Sequence, residues 1–149
     1  MRSGTLNVPG IVGLGKACAI ASAEMAGEAS RLASLRDRLE IGIIAQTGAI
    51  VNGGGAPRLP HVSNLRFRDV KGADLLRGVT REIAVSSGSA CTSANPEPSH
   101  VLLAMGVPED LAHSSLRFGL GRFTTEAEVD RAIETVNQTV RELHAIYNL

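Results

Sequence analysis

One cysteine stands in a run of small, polar residues. Residues 86–93 read SSGSACTS, so the neighbours of Cys91 are serine, threonine, glycine and alanine. Burial among large aliphatic side chains raises the pKa of a thiol and makes it inert, whereas a polar loop keeps the thiolate hydrated and accessible. We therefore expect Cys91 to be a nucleophile displayed on a loop.

The second cysteine has different surroundings. Cys18 lies in the segment 11–21, where small and apolar residues follow a helical pattern and a thiol acts as a compact hydrophobe. Two such dissimilar cysteines do not indicate a disulfide framework. They favour a reducing, cytoplasmic setting.

Arg117 is predicted to lie on a strand over residues 115–119. Leu116 and Phe118 share one face of that strand, and the guanidinium between them is aimed the other way. The core-facing pair therefore holds a charged side chain on a rigid element.

The other elements follow from periodicity and capping signals. Residues 11–25 and 28–45 predict two helices, or one helix bent near Gly27. A capping box at Thr125 and Glu128 predicts a terminal helix with an apolar stripe. Further predictions are a turn at 52–57, strands at 63–67 and 82–85, and helices at 69–78 and 98–105. The expected fold class is α/β, with a short mixed or antiparallel sheet covered by helices.

Composition excludes some functions. The 149 residues carry fifteen basic and fifteen acidic side chains, no tryptophan and a single tyrosine, which argues against nucleic-acid binding. We expect no apolar run long enough to span a bilayer, and therefore no membrane association. The glycines at 53–55 lack the following lysine and helix of a phosphate-binding loop, and favour a hairpin connection.

Other cysteine chemistries fit less well. A cysteine phosphatase needs an arginine six positions after the nucleophile, where this chain has Glu97. The loop also lacks the tryptophan and second cysteine of papain-like proteases. Cys91, His100 and His113 are too widely spaced for a typical zinc site, and both histidines are expected at the surface or in caps.

Several motifs together resemble one family. RSGTL at 2–6, SSGSACTS at 86–93, EPS at 97–99 and LAHSSLRFGLGRFTTE at 111–126 are similar to the C-terminal part of the NifS/IscS-type cysteine desulfurases, which belong to the class V aminotransferases with the type I fold of pyridoxal phosphate enzymes. The resemblance covers nearly the whole chain.

The resemblance implies an enzyme that converts L-cysteine to L-alanine and leaves a persulfide on Cys91. It implies that Arg117 binds the substrate carboxylate, which a planar guanidinium on a strand suits. Thr5 would reach the phosphate of pyridoxal phosphate in a neighbouring subunit of a homodimer. The implied partner is a sulfur acceptor such as a scaffold protein for iron–sulfur cluster assembly.

The chain departs from the family at the cofactor lysine. Its only lysines, Lys16 and Lys71, stand outside the family's lysine context. We therefore expect residues 1–27 to be a remnant of the large cofactor-binding domain with a linking helix, and residues 28–149 to be the small domain with the cysteine loop. The expected partner is a second copy in a homodimer or a complementing large domain that carries the lysine. The alternatives to an enzyme are a persulfide carrier without enzymatic activity and an inactive truncated product.

Overall fold

The computed structural model describes residues 3–87 and 97–147. In that part of the chain, one antiparallel sheet has the strand order β1-β2-β4-β3. The strands are β1 Ile50–Val51, β2 Val62–Arg66, β3 Ser86–Ser87 and β4 Ser115–Gly119. The helices are α1 Val8–Thr47, α2 Gly72–Val79, α3 His100–Ala104, α4 Glu109–His113 and α5 Glu126–Tyr147. The predicted combination of a short sheet and covering helices is confirmed.

Helices α1, α2 and α5 pack on one face of the sheet. Leu65 of β2 and Leu116 of β4 are register partners and belong to the core. The buried core residues of the helices are Leu32, Leu35, Leu39 and Ile43 of α1, Leu75 and Val79 of α2, and Val129, Val136, Val140 and Leu143 of α5. Because side chains alternate along a strand, Asn64 and Arg117 face the opposite side, which we call the polar face.

The segment predicted as two helices or one bent helix is the single helix α1. The Asn7 side chain accepts a hydrogen bond from the Gly10 backbone N–H at 3.2 Å at its start, and Gly48, with φ of 65°, ends it. Burial begins only in the second half, at Leu32. Cys18 lies on the exposed half, so the prediction that it packs as a hydrophobe is wrong: the small residues give a helix, but none of the described residues covers it.

Part of α1 has the length and composition of a membrane-crossing segment. An 18-residue window reaches a mean hydropathy of 1.2, and none of it is buried. The prediction that no run is long and apolar enough is therefore wrong by this criterion, because alanine and glycine keep the average high without long aliphatic side chains. The same composition is found in helices of soluble proteins, so this feature is weak evidence of membrane insertion.

The chain between α2 and β4 differs from the prediction in detail. The backbone N–H groups of Glu82 and Ile83 both donate to the Val79 carbonyl, so the strand predicted at 82–85 gives way to a turn and β3 forms at 86–87. Asp69 has φ of 60°, a left-handed conformation that no helix accommodates, and α2 accordingly begins at Gly72.

Helix α3 is also shorter than the predicted span 98–105. It begins at His100 with Ser99 as its N-cap, so Pro98 precedes the cap instead of occupying the first helical position.

Charged contacts join α1 to the rest of the domain. Arg58, in the connection between β1 and β2, donates to both carboxylate oxygens of buried Glu40, at 2.6 and 3.1 Å. Burial alone would raise the pKa of Glu40, but hydrogen bonds and the charge of Arg58 outweigh it and hold the pKa below its ordinary value. Arg38 forms a two-point contact with Asp130 of α5, at 2.8 Å each.

The predicted capping box starts α5. Thr125 N–H donates to the Glu128 carboxylate at 2.8 Å, and Glu128 N–H donates to the Thr125 hydroxyl at 3.3 Å. The bond from the Thr125 backbone, together with that from its hydroxyl, lowers the pKa of Glu128. The predicted apolar stripe is confirmed: Ile133 is half-buried, and the other members are buried, namely Val129, Val136, Val140 and Leu143.

Candidate carboxylate-binding site on the polar face

Arg117 occupies the middle of the sheet. On β4 it is the register partner of Asn64 on β2 and of Ser86 on β3, and it is exposed. Its neighbours Leu116 and Phe118 are buried, as the alternating pattern predicted. Among the residues that the structure describes, none forms a hydrogen bond or ion pair with the Arg117 guanidinium.

Cys91 lies outside the described residues, as does the whole segment 88–96. The chain enters that segment from β3, whose Ser86 stands beside Arg117 and precedes Cys91 by five residues. The predicted display of Cys91 on a loop is not tested.

Thr5 is exposed and lies two residues before the N-cap of α1. From Val8 to Leu32, where packing in the core begins, a helix rises about 36 Å. One copy of the chain therefore does not bring Thr5 and Arg117 together.

A network of side chains lies next to Arg117 on the polar face. Asn52, which is only 6% exposed, donates through Nδ2 to Asn64 Oδ1 at 2.6 Å and to Ser115 Oγ at 3.1 Å. Its Oδ1 accepts from Arg66 Nη1 at 2.8 Å. The Ser115 hydroxyl donates to the Leu111 carbonyl at 2.8 Å.

Sequence reasoning missed this network. The alternating pattern over residues 63–68 predicts that Asn64 and Arg66 lie opposite Leu65, and the closeness of Arg58, Arg66 and Arg68 in the sequence suggests a local basic cluster. In the structure Arg58 binds Glu40 and Arg66 binds Asn52, so the three do not act as one patch. The contact with Asn52 depends on the β1–β2 register, which the sequence alone does not fix.

Two grooves lie near the site. One of about 740 Å³ runs between residues 82–85, residues 118–124 and the start of α5, and Arg117 does not line it. Another, of about 480 Å³, has Ser87 and Glu97 in its wall, the residues on either side of the undescribed segment. The two described residues that flank the segment with Cys91 thus line the same groove.

The described residues do not form a complete site for pyridoxal phosphate. Lys16 stands on the exposed half of α1, and the Lys71 ammonium lies 5.6 Å from the ring centroid of Tyr147 at the end of α5. Neither lysine is on the polar face, so neither offers an amine for a Schiff base beside Arg117. The described residues also include no cluster of three metal-ligating side chains, and His100 and His113 are exposed as expected.

The fold and the sequence together define the class of protein. The model of the aminotransferase class-V family matches residues 1–132. The chain therefore belongs to this family, whose members generally depend on pyridoxal phosphate.

Within the family, the chain is similar to proteins named as cysteine desulfurases. The chain is 57% identical to cysteine desulfurase IscS of Anaeromyxobacter sp. (strain Fw109-5) and 52% identical to that of Shewanella sp. (strain ANA-3), over 143 residues in each case. These alignments cover 95% and 96% of this chain but 35% of each relative. The chain spans about a third of the length of the curated relatives it matches.

Solved structures of NifS-like proteins have the same fold as this chain. A NifS-like protein superposes with a TM-score of 0.78 at 32% identity, over 95% of this chain and 36% of the other. The NifS-like protein of Rickettsia africae ESF-5 gives 0.75 at 29% identity, over 97% and 36%. The resemblance to NifS/IscS-type cysteine desulfurases that the motifs predicted is confirmed.

Proposed function

We propose that this chain is the cysteine-bearing part of a cysteine desulfurase. The reaction breaks the C–S bond of L-cysteine and forms an S–S bond to Cys91, so that L-cysteine and a thiol become L-alanine and a persulfide. This exchange balances without an external oxidant or reductant. The names of the relatives favour this function over a carrier without enzymatic activity.

One observation carries the proposal. Arg117 presents its donors from the central strand, beside the strand that leads into the segment with Cys91. A guanidinium binds a carboxylate through two parallel hydrogen bonds, which would hold L-cysteine by the end opposite to its sulfur. In this role Arg117 binds and orients the substrate, and Cys91 accepts the sulfur.

We infer that the cofactor site is completed by residues outside this chain. Thr5 stands at the amino end of a 40-residue helix, where the partial positive charge favours a phosphate group. Its separation from Arg117 suits a role in the neighbouring subunit of a homodimer. No step of pyridoxal chemistry is assigned to the residues of this chain, because they do not supply the lysine.

The same proposal includes the partners and the cellular setting. A persulfide on Cys91 needs a protein that accepts sulfur, and a scaffold for iron–sulfur cluster assembly is our candidate. A cytoplasmic location fits a thiol that must stay reduced to accept sulfur again. The domain boundary after residue 27 stays a prediction, although packing in the core does begin just beyond it.

The test uses a complete desulfurase in which this chain replaces the matched segment of the Anaeromyxobacter sp. (strain Fw109-5) enzyme. Cys91→Ser should abolish alanine production, because a hydroxyl is a far poorer nucleophile than a thiolate. Cys18→Ser is the matched control and should leave the rate unchanged.

Arg117→Ala should raise the KM for L-cysteine by the equivalent of about 2–4 kcal/mol, the loss of a charge-assisted pair. Arg117→Lys should recover only part of this, because an ammonium cannot form the fork. Arg68→Ala removes another exposed arginine and should have no effect. An unchanged KM in Arg117→Ala would show that the carboxylate is bound elsewhere.

A further inference from the structure

The contacts of Asn52 fix the orientation of its amide group. Oxygen and nitrogen of an asparagine side chain are usually hard to distinguish, and only their partners decide between them. A guanidinium has donors but no acceptor, so the Asn52 atom that meets Arg66 at 2.8 Å must be the carbonyl oxygen. The amide nitrogen of Asn52 therefore points to Asn64 and Ser115.

That orientation fixes the next amide in turn. An amide nitrogen only donates, so the Asn64 atom at 2.6 Å from Asn52 Nδ2 must be its oxygen. Ser115 does not compete, because its oxygen also accepts from Asn52 while its hydrogen is donated to the Leu111 carbonyl. Arg66 thus leaves the Asn64 Nδ2 group, with its two N–H donors, turned away from Asn52.

Asn64 is also the strand neighbour of Arg117 with the closest side-chain approach. The Asn52 backbone N–H donates to the Asn64 carbonyl at 2.8 Å, so the backbone groups of Asn64 face β1 and not β4. Asn64 and Arg117 therefore form a non-hydrogen-bonded pair, in which the Cα atoms are about 4.5 Å apart and the side chains lie closest. Ser86, on the other side of Arg117, has only a short hydroxyl.

We propose that the Asn64 amide is a second donor to the substrate carboxylate beside Arg117, and that Asn52 and Arg66 are positioning residues that hold it in the donating orientation. This inference rests on the proposed function of Arg117. It assigns the polar face a carboxylate site built from two strands, with one charged and one neutral donor. Neither Asn52 nor Arg66 contacts the substrate.

We call the arrangement in which Arg66 orients Asn52, and Asn52 orients the Asn64 amide, the relay. Asn52→Asp tests the relay, because Asn52 itself does not contact the substrate. The new carboxylate still accepts from Arg66, but its second oxygen can no longer donate to Asn64. Asn64 must then turn its nitrogen towards position 52 and present its oxygen to the substrate carboxylate, which repels it. In the complete desulfurase we expect the KM for L-cysteine to rise about tenfold or more, with kcat close to that of the unchanged enzyme.

Asn64→Leu removes the donor directly and should raise KM to a similar extent. In the double variant with Asn52→Asp, no further rise is expected, because the relay then has no amide to orient. Asn137→Asp is the matched control, since Asn137 is equally buried but donates to the Gly42 carbonyl between α1 and α5. It should change stability without changing KM.

The outcomes separate the two proposals. If Arg117→Ala raises KM while Asn64→Leu and Asn52→Asp do not, the carboxylate site stands and the Asn64 role is wrong. Additive effects of Asn52→Asp and Asn64→Leu would also overturn the relay. If Arg117→Ala leaves KM unchanged, the proposed function itself fails. Should Asn52→Asp not fold, as judged by circular dichroism of the chain, the KM and kcat of Asn64→Leu decide the question.

Discussion

Replacing Arg58 with alanine removes the partner of a buried carboxylate. Arg58 binds both oxygens of Glu40 and ties the β1–β2 connection to α1, and Arg36 supports the same connection by donating to the Leu59 carbonyl at 3.1 Å. In Arg58→Ala, Glu40 keeps its burial but loses both of these bonds. Glu40→Gln should lose less folding free energy, because the buried group is then a neutral amide and Arg58 can still reach water.

The expected magnitude follows from the exposure of the pair. Breaking a fully buried ion pair by removing one partner costs about 3–5 kcal/mol. The Glu40 side chain is 10% exposed and that of Arg58 is 22% exposed, so water reduces the effect. We expect about 2–3 kcal/mol for Arg58→Ala by scaling that range down, and about 1 kcal/mol for Glu40→Gln. With a urea slope near 2 kcal/mol/M, Arg58→Ala should lower the unfolding midpoint by roughly 1–1.5 M.

The pH dependence gives the sharper test. In the unchanged chain the folded-state pKa of Glu40 lies below its ordinary 4.5, so the stability from this group is present above that pH and is lost as the pH falls through the folded value. Without Arg58, burial raises the pKa of Glu40. The charged Glu40 then destabilises the folded chain above pH 4.5, and this loss of stability disappears in acid, where Glu40 is protonated. The gap between the two proteins should therefore shrink as the pH is lowered.

Urea unfolding followed by circular dichroism measures this gap, because the chain has no tryptophan and only one tyrosine. Glu134→Gln, an exposed change on α5, is the control. A gap that stays constant from neutral pH to acid, or equal losses in Arg58→Ala and Glu40→Gln, would refute the reasoning.

Three further predictions concern stability and labelling. Thr125→Ala should cost about 1 kcal/mol, because it removes the hydroxyl of the capping box; thermal unfolding would show a midpoint a few degrees lower. Gly72→Ala should destabilise the chain by about 1–3 kcal/mol or more, since a Cβ there would lie 2.0 Å from the His113 carbonyl oxygen, whereas Gly55→Ala meets no atom within 4 Å and should be nearly neutral. Cys18 should react with iodoacetamide in the folded chain because it is exposed, so labelling of Cys91 is best measured by mass spectrometry in Cys18→Ala. Protection of Cys18 would indicate that a second copy covers α1.

Much of the fold could be predicted because its signals are local. Leu116, Arg117 and Phe118 alternate as a half-buried strand must, and the Thr125 and Glu128 capping box depends on residues three apart in the sequence. The errors arose where distant or backbone effects decide. The turn at Glu82 and Ile83 uses amide groups that a strand would need, and the burial of a helix depends on what lies against it.

The candidate site was predictable only in part. Motif resemblance predicted roles for Cys91, Arg117 and Thr5, which stay predictions, and strand alternation correctly placed Arg117 on the polar face. The neighbours of Arg117 depend on register between strands that are far apart in sequence. Asn52 and Asn64 therefore appeared only in the structure, as polar residues in a turn and on a strand that no periodic pattern connects.

Arg31 of α1 donates to three backbone carbonyl groups in the segment after β4, those of Gly121, Arg122 and Thr124, at 3.4, 2.6 and 2.7 Å. The Arg122 side chain returns to α1 through Glu24 and Glu28, at 2.9 and 3.1 Å. These contacts attach the middle of α1 to the segment that begins four residues beyond Arg117. A load on the exposed half of α1 would therefore fall first on these contacts, which lie just beyond the end of the strand that carries Arg117.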